Sequence, residues 1–91
     1  MEFEFSSHFD RQFKKLDKPT QEKARGAIES LLKYLDRKSP LLPGLGMKNF
    51  KSNYWEIRVD IRTRIIFELT NRLGFLLIGS HDEIRRFMKR K

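Results

Sequence analysis

The side chains able to do chemistry concentrate after residue 47. His81 follows Gly79-Ser80; Arg58 and Arg64 precede it in segments that alternate apolar and polar residues, and Lys48 stands ahead of both. An imidazole with an ordinary pKa of about 6.5 gives or takes a proton near neutrality. The planar fork of arginine binds two phosphate oxygens at once, and lysine supplies a compact point charge. The pattern thus sets a candidate proton-transfer group near candidate phosphate-binding groups. Glu56 shares strand parity with Arg58, so it can act as a paired general base or as an ion-pair partner. Plainer roles fit the same residues. A histidine after a glycine often belongs to a turn or a helix cap. Arginines on a polar strand face are often solvated, or paired with Glu56 and Glu68 across strands.

The elements that must position these groups are legible as periodicity. Met1–Phe5 alternates apolar and acidic residues, a short strand signal. Ser7 followed by Asp10 offers an approximate capping box, after which Phe9, Phe13 and Leu16 fall at helical spacing. Pro19 divides this helix from the next. Ala24, Ala27, Ile28, Leu31, Leu32 and Leu35 form one apolar stripe, with Glu22/Arg25 and Glu29/Lys33 on the solvent side. The second helix is expected to end near Lys38, before Ser39-Pro40 and a loop to Gly46. Trp55, Ile57 and Val59 alternate with Tyr54, Glu56, Arg58 and Asp60, and a tight turn leads to Ile65, Phe67 and Leu69. Asn71-Arg72-Leu73-Gly74 supplies hairpin chemistry, with Gly74 able to take a positive φ. Phe75–Ile78 is apolar on both faces, which predicts an interior strand. Glu56, Arg58 and Arg64 are expected on the sheet face away from the helices. Trp55 reads as core, and His8, beside a helix start, as structural or exposed.

Composition narrows the partners. The 91 residues suit one domain over 1–91, and the 38% hydrophobic content with eight Phe suffices for one core. The net charge of +8 favours a polyanion. Residues 1–47 hold nine Lys/Arg against seven Asp/Glu, whereas residues 48–91 hold eleven against five. The excess therefore lies in the strand-rich half and in the Arg85-Arg86 and Lys89-Arg90-Lys91 run. That run reads as a solvated helix end or as a phosphate-contacting tail. With no cysteine, a disulfide frame and a thiolate metal site are excluded, and two histidines without a carboxylate cluster argue against zinc. The N-terminus lacks the apolar core of a signal peptide, and no apolar run approaches the roughly 20 residues that cross a bilayer. A soluble cytoplasmic protein without a membrane partner or cofactor is expected.

Met47-Lys48, Tyr54–Val59, Arg64–Glu68 and Gly79–His81, in this order and spacing, resemble the RelE/ParE superfamily of bacterial toxins. The resemblance extends over nearly the whole chain. It implies an α+β fold, with an N-terminal strand and helical hairpin packed on a mostly antiparallel sheet and a short C-terminal helix. It implies the toxin of a toxin–antitoxin system, held inactive by a cognate antitoxin. In the RelE-like branch this is a ribosome-dependent, metal-independent endoribonuclease that cuts mRNA and inhibits translation. In the ParE-like branch it is a DNA gyrase inhibitor that needs no RNA-cleaving residues. A noncatalytic RNA-binding domain would satisfy the charge equally.

Metal-free RNA cleavage needs a base for the 2′-hydroxyl, an acid for the departing 5′-oxygen and fixed positive charge at the phosphorane. Through the resemblance, Arg64 falls where the nuclease pattern carries an arginine. Arg58 and Lys48 match cationic positions, and His81 falls where RelE has an arginine and several relatives a histidine. His81, Arg64 and Glu56 are the catalytic candidates. Lys48, Lys51, Arg58 and Arg62 are the phosphate-binding candidates, and Tyr54 and Phe87 could stack on bases. Glu56 stands where RelE has lysine and Phe87 where it has tyrosine. Both departures remain compatible with the histidine-using relatives. The C-terminal helix around Ile84–Met88 is the element an antitoxin could displace.

Overall fold

The computed structural model describes residues 1–41 and 43–89. Its elements are β1 (Phe3–Phe5), α1 (Ser7–Lys14), α2 (Lys18–Leu35), β2 (Lys48–Lys51), β3 (Tyr54–Arg58), β4 (Thr63–Leu69), β5 (Leu73–Ser80) and α3 (His81–Lys89). The five strands form one sheet in the order β1-β5-β4-β3-β2. β1 joins β5 in parallel, and all other neighbours are antiparallel. This is the α+β arrangement expected from the sequence. Arg90 and Lys91 of the basic tail, and Leu42 of the connecting loop, lie outside the described residues.

Alternation along the strands divides the apolar residues between two faces. On one face Ile57, Ile65, Phe67, Phe75 and Ile78 pack against Phe9 of α1 and the Ala24, Ala27, Ile28 and Leu31 stripe of α2. On the other, Ile66 and Leu77 are covered by Ile84 of α3, with Leu76, Phe87 and Met88 around them. Each large apolar side chain so buried contributes roughly 1.5–3 kcal/mol. β5 pairs on both edges and is covered on both faces, as its unbroken apolar run predicts. α2 also carries its two predicted surface pairs, Arg25–Glu22 at 2.6 Å and Lys33–Glu29 at 3.1 Å.

Several boundaries differ from those read in the sequence. The cap of α1 is Ser6, not Ser7: its hydroxyl accepts from the Phe9 amide at 3.0 Å and donates to the Leu76 carbonyl at 2.8 Å. The second bond fixes the choice, because only Ser6 reaches β5. α2 stops at Leu35 rather than Lys38. Arg37 takes φ 60°, and the Arg37 and Lys38 amides bond back to the Tyr34 and Lys33 carbonyls. This is a Schellman ending with arginine where glycine is usual. β2 escaped the sequence reading because Lys-Asn-Phe-Lys is exposed throughout and has no apolar alternation. Leu73 and Gly74 belong to β5, so the turn is carried by Thr70–Arg72 and Gly74 needs no positive φ. Positive φ falls on Gly44 and Gly46 instead, in the loop before β2.

Candidate functional site

The register of the sheet assembles the cations. Lys48 stands opposite Glu56, and Arg58 stands directly opposite Arg64, whose other neighbour is Gly79 of β5. Tyr54, Glu56 and Arg58 lie at alternate positions of β3, on the face away from the helical hairpin. Two like charges directly opposite have Cβ atoms about 5 Å apart and destabilise a sheet. The register alone thus sets two cationic positions side by side at this end of the sheet. The Arg58 side chain is exposed and has no hydrogen-bond or ion-pair partner among the described residues.

Arg64 is more firmly held. Its side chain is 16% exposed, and its Nη1 donates to the Asp60 carbonyl at 2.7 Å, with longer approaches to Ile61 and Thr63. Its Nε stands 3.9 Å from Glu56 Oε1, and Lys48 Nζ stands 3.8 Å from the same oxygen. Glu56, 6% exposed, is thus a buried carboxylate between two cations. These separations are ion-pair contacts rather than short hydrogen bonds. They orient Arg64 while leaving part of its fork available.

Asp60, which ends the alternation of polar residues that runs from Tyr54, organises the turn between β3 and β4. Its Oδ1 accepts from the Arg62 amide at 2.9 Å and the Thr63 amide at 2.8 Å, an Asx turn. Burial is the largest single influence and raises its pKa. The Arg62 and Thr63 amides, the Thr63 hydroxyl and the charge of Lys23 together outweigh it and hold the carboxyl below the ordinary carboxylate value. The Asp-x-x-Thr spacing before β4 was a readable signal for this turn. Arg62 is exposed at the tip, beside the Arg58–Arg64 end of the sheet.

β5 runs straight into α3, with no intervening Gly-Ser-His-Asp turn. Ser80 caps the helix: its hydroxyl accepts from the Glu83 amide at 3.2 Å, and Glu83 Oε1 accepts from the Ser80 amide at 2.9 Å. Ser80-x-x-Glu83 is a capping box whose spacing is present in the sequence itself. Gly79 makes room for it, because a Cβ there would stand 3.0 Å from Glu83 Oε1. With Ser80 opposite Thr63 and Gly79 opposite Arg64, His81 starts its helix at the sheet end that carries the arginine pair. His81 is an exposed first-turn residue, and its Nε2 lies 2.9 Å from Arg85 Nη2.

The remaining candidates spread out. Lys51 and Tyr54 pair at the β2–β3 hairpin, four residues or about 13 Å along β3 from Arg58. Phe87 joins the cluster of Ile66, Leu77 and Ile84. At 100° per residue it lies roughly 120° around α3 from His81, and its ring packs on His8 of α1 at 5.8 Å and 24°. Among the described residues, no three His, Asp or Glu side chains gather as metal ligands, and no helix is long and apolar enough to cross a membrane.

No family model and no curated relative matches the chain. Solved structures do. A chain of the RelB–RelE antitoxin–toxin complex from Methanococcus jannaschii superposes with TM-score 0.68 at 20% identity, over 91% of this chain and 95% of that one. YafQ from E. coli strain BL21(DE3) gives 0.64 at 20% identity, over 91% and 96%. A YoeB/ParE toxin from Agrobacterium tumefaciens gives 0.65 at 18%, over 89% and 99%. At such identities the likeness lies in the backbone: this chain has the RelE/ParE toxin fold.

Proposed function

We propose that the chain is the toxin of a toxin–antitoxin pair and acts as a ribosome-dependent, metal-independent endoribonuclease on mRNA. The observation that carries this reading is the Arg58–Arg64 pair, like charges directly opposite on the face away from the helical hairpin, at the sheet end where His81 begins α3. A phosphodiester between the two guanidinium groups would relieve their repulsion and receive charge stabilisation as the phosphorane forms. His81 takes the proton-transfer role. Arg64 and Arg58 hold the scissile phosphate, and Lys48 and Arg62 extend the cationic track. The 3.9 Å approach of Glu56 to Arg64 supports an orienting role rather than that of a base. Lys51 and Tyr54 suit a neighbouring nucleotide, by charge and by stacking. The location of Phe87 supports packing of α3 rather than base stacking.

The partner is a cognate antitoxin, by analogy with the RelB–RelE and DinJ–YafQ complexes that share the fold. Two features favour such a partner. Phe3 and Phe5 are 45% and 38% exposed on the edge strand β1, an apolar surface a protein would cover. α3 is anchored mainly through Ile84, so a competing helix could displace it.

One observation favours the gyrase-inhibitor alternative: Nη1 of Arg64 is already committed to turn carbonyls, as a purely structural arginine would be. Primer extension on an mRNA translated in a purified system, with wild type and His81→Ala in parallel, separates the two. New 5′ ends only with wild type and ribosomes are expected. Growth arrest in cells without cuts from either protein would refute the nuclease and turn attention to gyrase.

A further inference from the structure

His81 and Arg85 stand one turn apart on an exposed flank of α3, with Arg85 Nη2 2.9 Å from His81 Nε2. A guanidinium has donors and no acceptor, so the nitrogen facing it must accept. The imidazole is then the tautomer with its proton on Nδ1. The lone pair that a base would use is the one Arg85 occupies. Among the described residues neither side chain has another hydrogen-bond or ion-pair partner, so nothing else holds the arginine in place.

We propose that Arg85 covers the His81 base in the free protein and that an RNA phosphate uncovers it. This rests on the ribonuclease reading above and adds a substrate-dependent control to it. An ionised phosphate presents two oxygens to the guanidinium fork, a stronger match than one neutral ring nitrogen. Once the fork turns to the phosphate, the Nε2 lone pair is free. The proton of the 2′-hydroxyl then passes to Nε2 as the O2′–P bond forms, giving an imidazolium. The P–O5′ bond breaks, the 5′-oxygen takes a proton from solvent, and a 2′,3′-cyclic phosphate remains. Arg85 is therefore a positioning residue with a second contact to the substrate, and without RNA the base stays occupied.

Ring-nitrogen NMR of the full chain labelled with ¹⁵N-histidine tests this at one fixed alkaline pH, with inorganic phosphate as the probe. His8 serves as the internal reference. In the wild type, His81 should be protonated at Nδ1, with Nε2 accepting a hydrogen bond, and added phosphate should move Nε2 toward an uncovered signal. Arg85→Ala should start uncovered and ignore phosphate, whereas Arg85→Lys, with one point donor, should fall between. A wild-type ring protonated at Nε2, an Nε2 signal identical in Arg85→Ala, or a wild-type signal indifferent to phosphate each overturns the proposal. The measurement uses no ribosome, so its failure leaves the cleavage reading standing. Full toxicity of His81→Ala would instead defeat the cleavage reading, whatever ring signal the wild type gives.

Discussion

Replacing Asp60 with alanine should unfold the arginine end of the sheet before any other part. The side chain accepts two backbone amides, those of Arg62 and Thr63, at 2.9 and 2.8 Å, and its own carbonyl receives Arg64 Nη1. Capping carboxylates of this kind are worth about 0.5–2 kcal/mol. Water reaches Asp60, which keeps the value below that of a buried charge-assisted pair, so the expected loss is about 1.5 kcal/mol. For a chain of this size that lowers Tm by roughly 6–12 °C. Asp60→Asn keeps an acceptor oxygen but no charge and should lose about half as much. The pH dependence follows from the lowered pKa of Asp60. A carboxyl whose folded pKa lies below its unfolded value stabilises the fold above the unfolded value, about 3.9, and loses that contribution as pH falls through the folded value. The gap between wild type and Asp60→Ala should thus be full near neutrality and narrow below about pH 4. Thermal denaturation followed by circular dichroism across this range is the assay. An unchanged Tm at pH 7, or a gap that stays constant to pH 3, would refute the reasoning.

Arg58→Glu replaces a like-charge pair with an opposite-charge one, so it should stabilise the fold by about 0.5 kcal/mol while abolishing mRNA cleavage; parallel urea melts and primer extension check both halves. Arg37→Gly removes a side chain from the left-handed region, and after the added unfolded-state entropy is subtracted should still gain about 0.5 kcal/mol, or 2–4 °C in Tm. Ile84→Ala deletes the buried anchor of α3 and should cost about 3 kcal/mol. Hydrogen exchange should show the loss first in residues 81–89, ahead of β4 and β5.

The local elements were legible because each depends on neighbours in sequence. The α2 stripe from Ala24 to Leu35 and the alternation from Trp55 to Val59 name their own buried faces, since the periods of helix and strand are fixed by backbone geometry. β2 was not legible: an exposed edge strand owes its existence to the partner it pairs with, and Lys48–Lys51 has no apolar pattern of its own. The cap of α1 went to Ser6 for a similar reason, through a carbonyl 70 residues away on β5.

The site divides in the same manner. Residue type gives His81, Arg64, Arg58, Lys48 and Glu56 the capacity to transfer protons or hold phosphate, because that capacity belongs to the side chain, and the resemblance to the toxin pattern singled out the cations among the chain's 20 Lys and Arg. Only the sheet register set Arg58 against Arg64, and only burial placed Glu56 between Lys48 and Arg64. The same packing sent Phe87 to His8, on the far flank of α3. A side chain carries its chemistry wherever it goes, whereas its partners are chosen by contacts across the sheet and between layers, which periodicity in one segment does not encode.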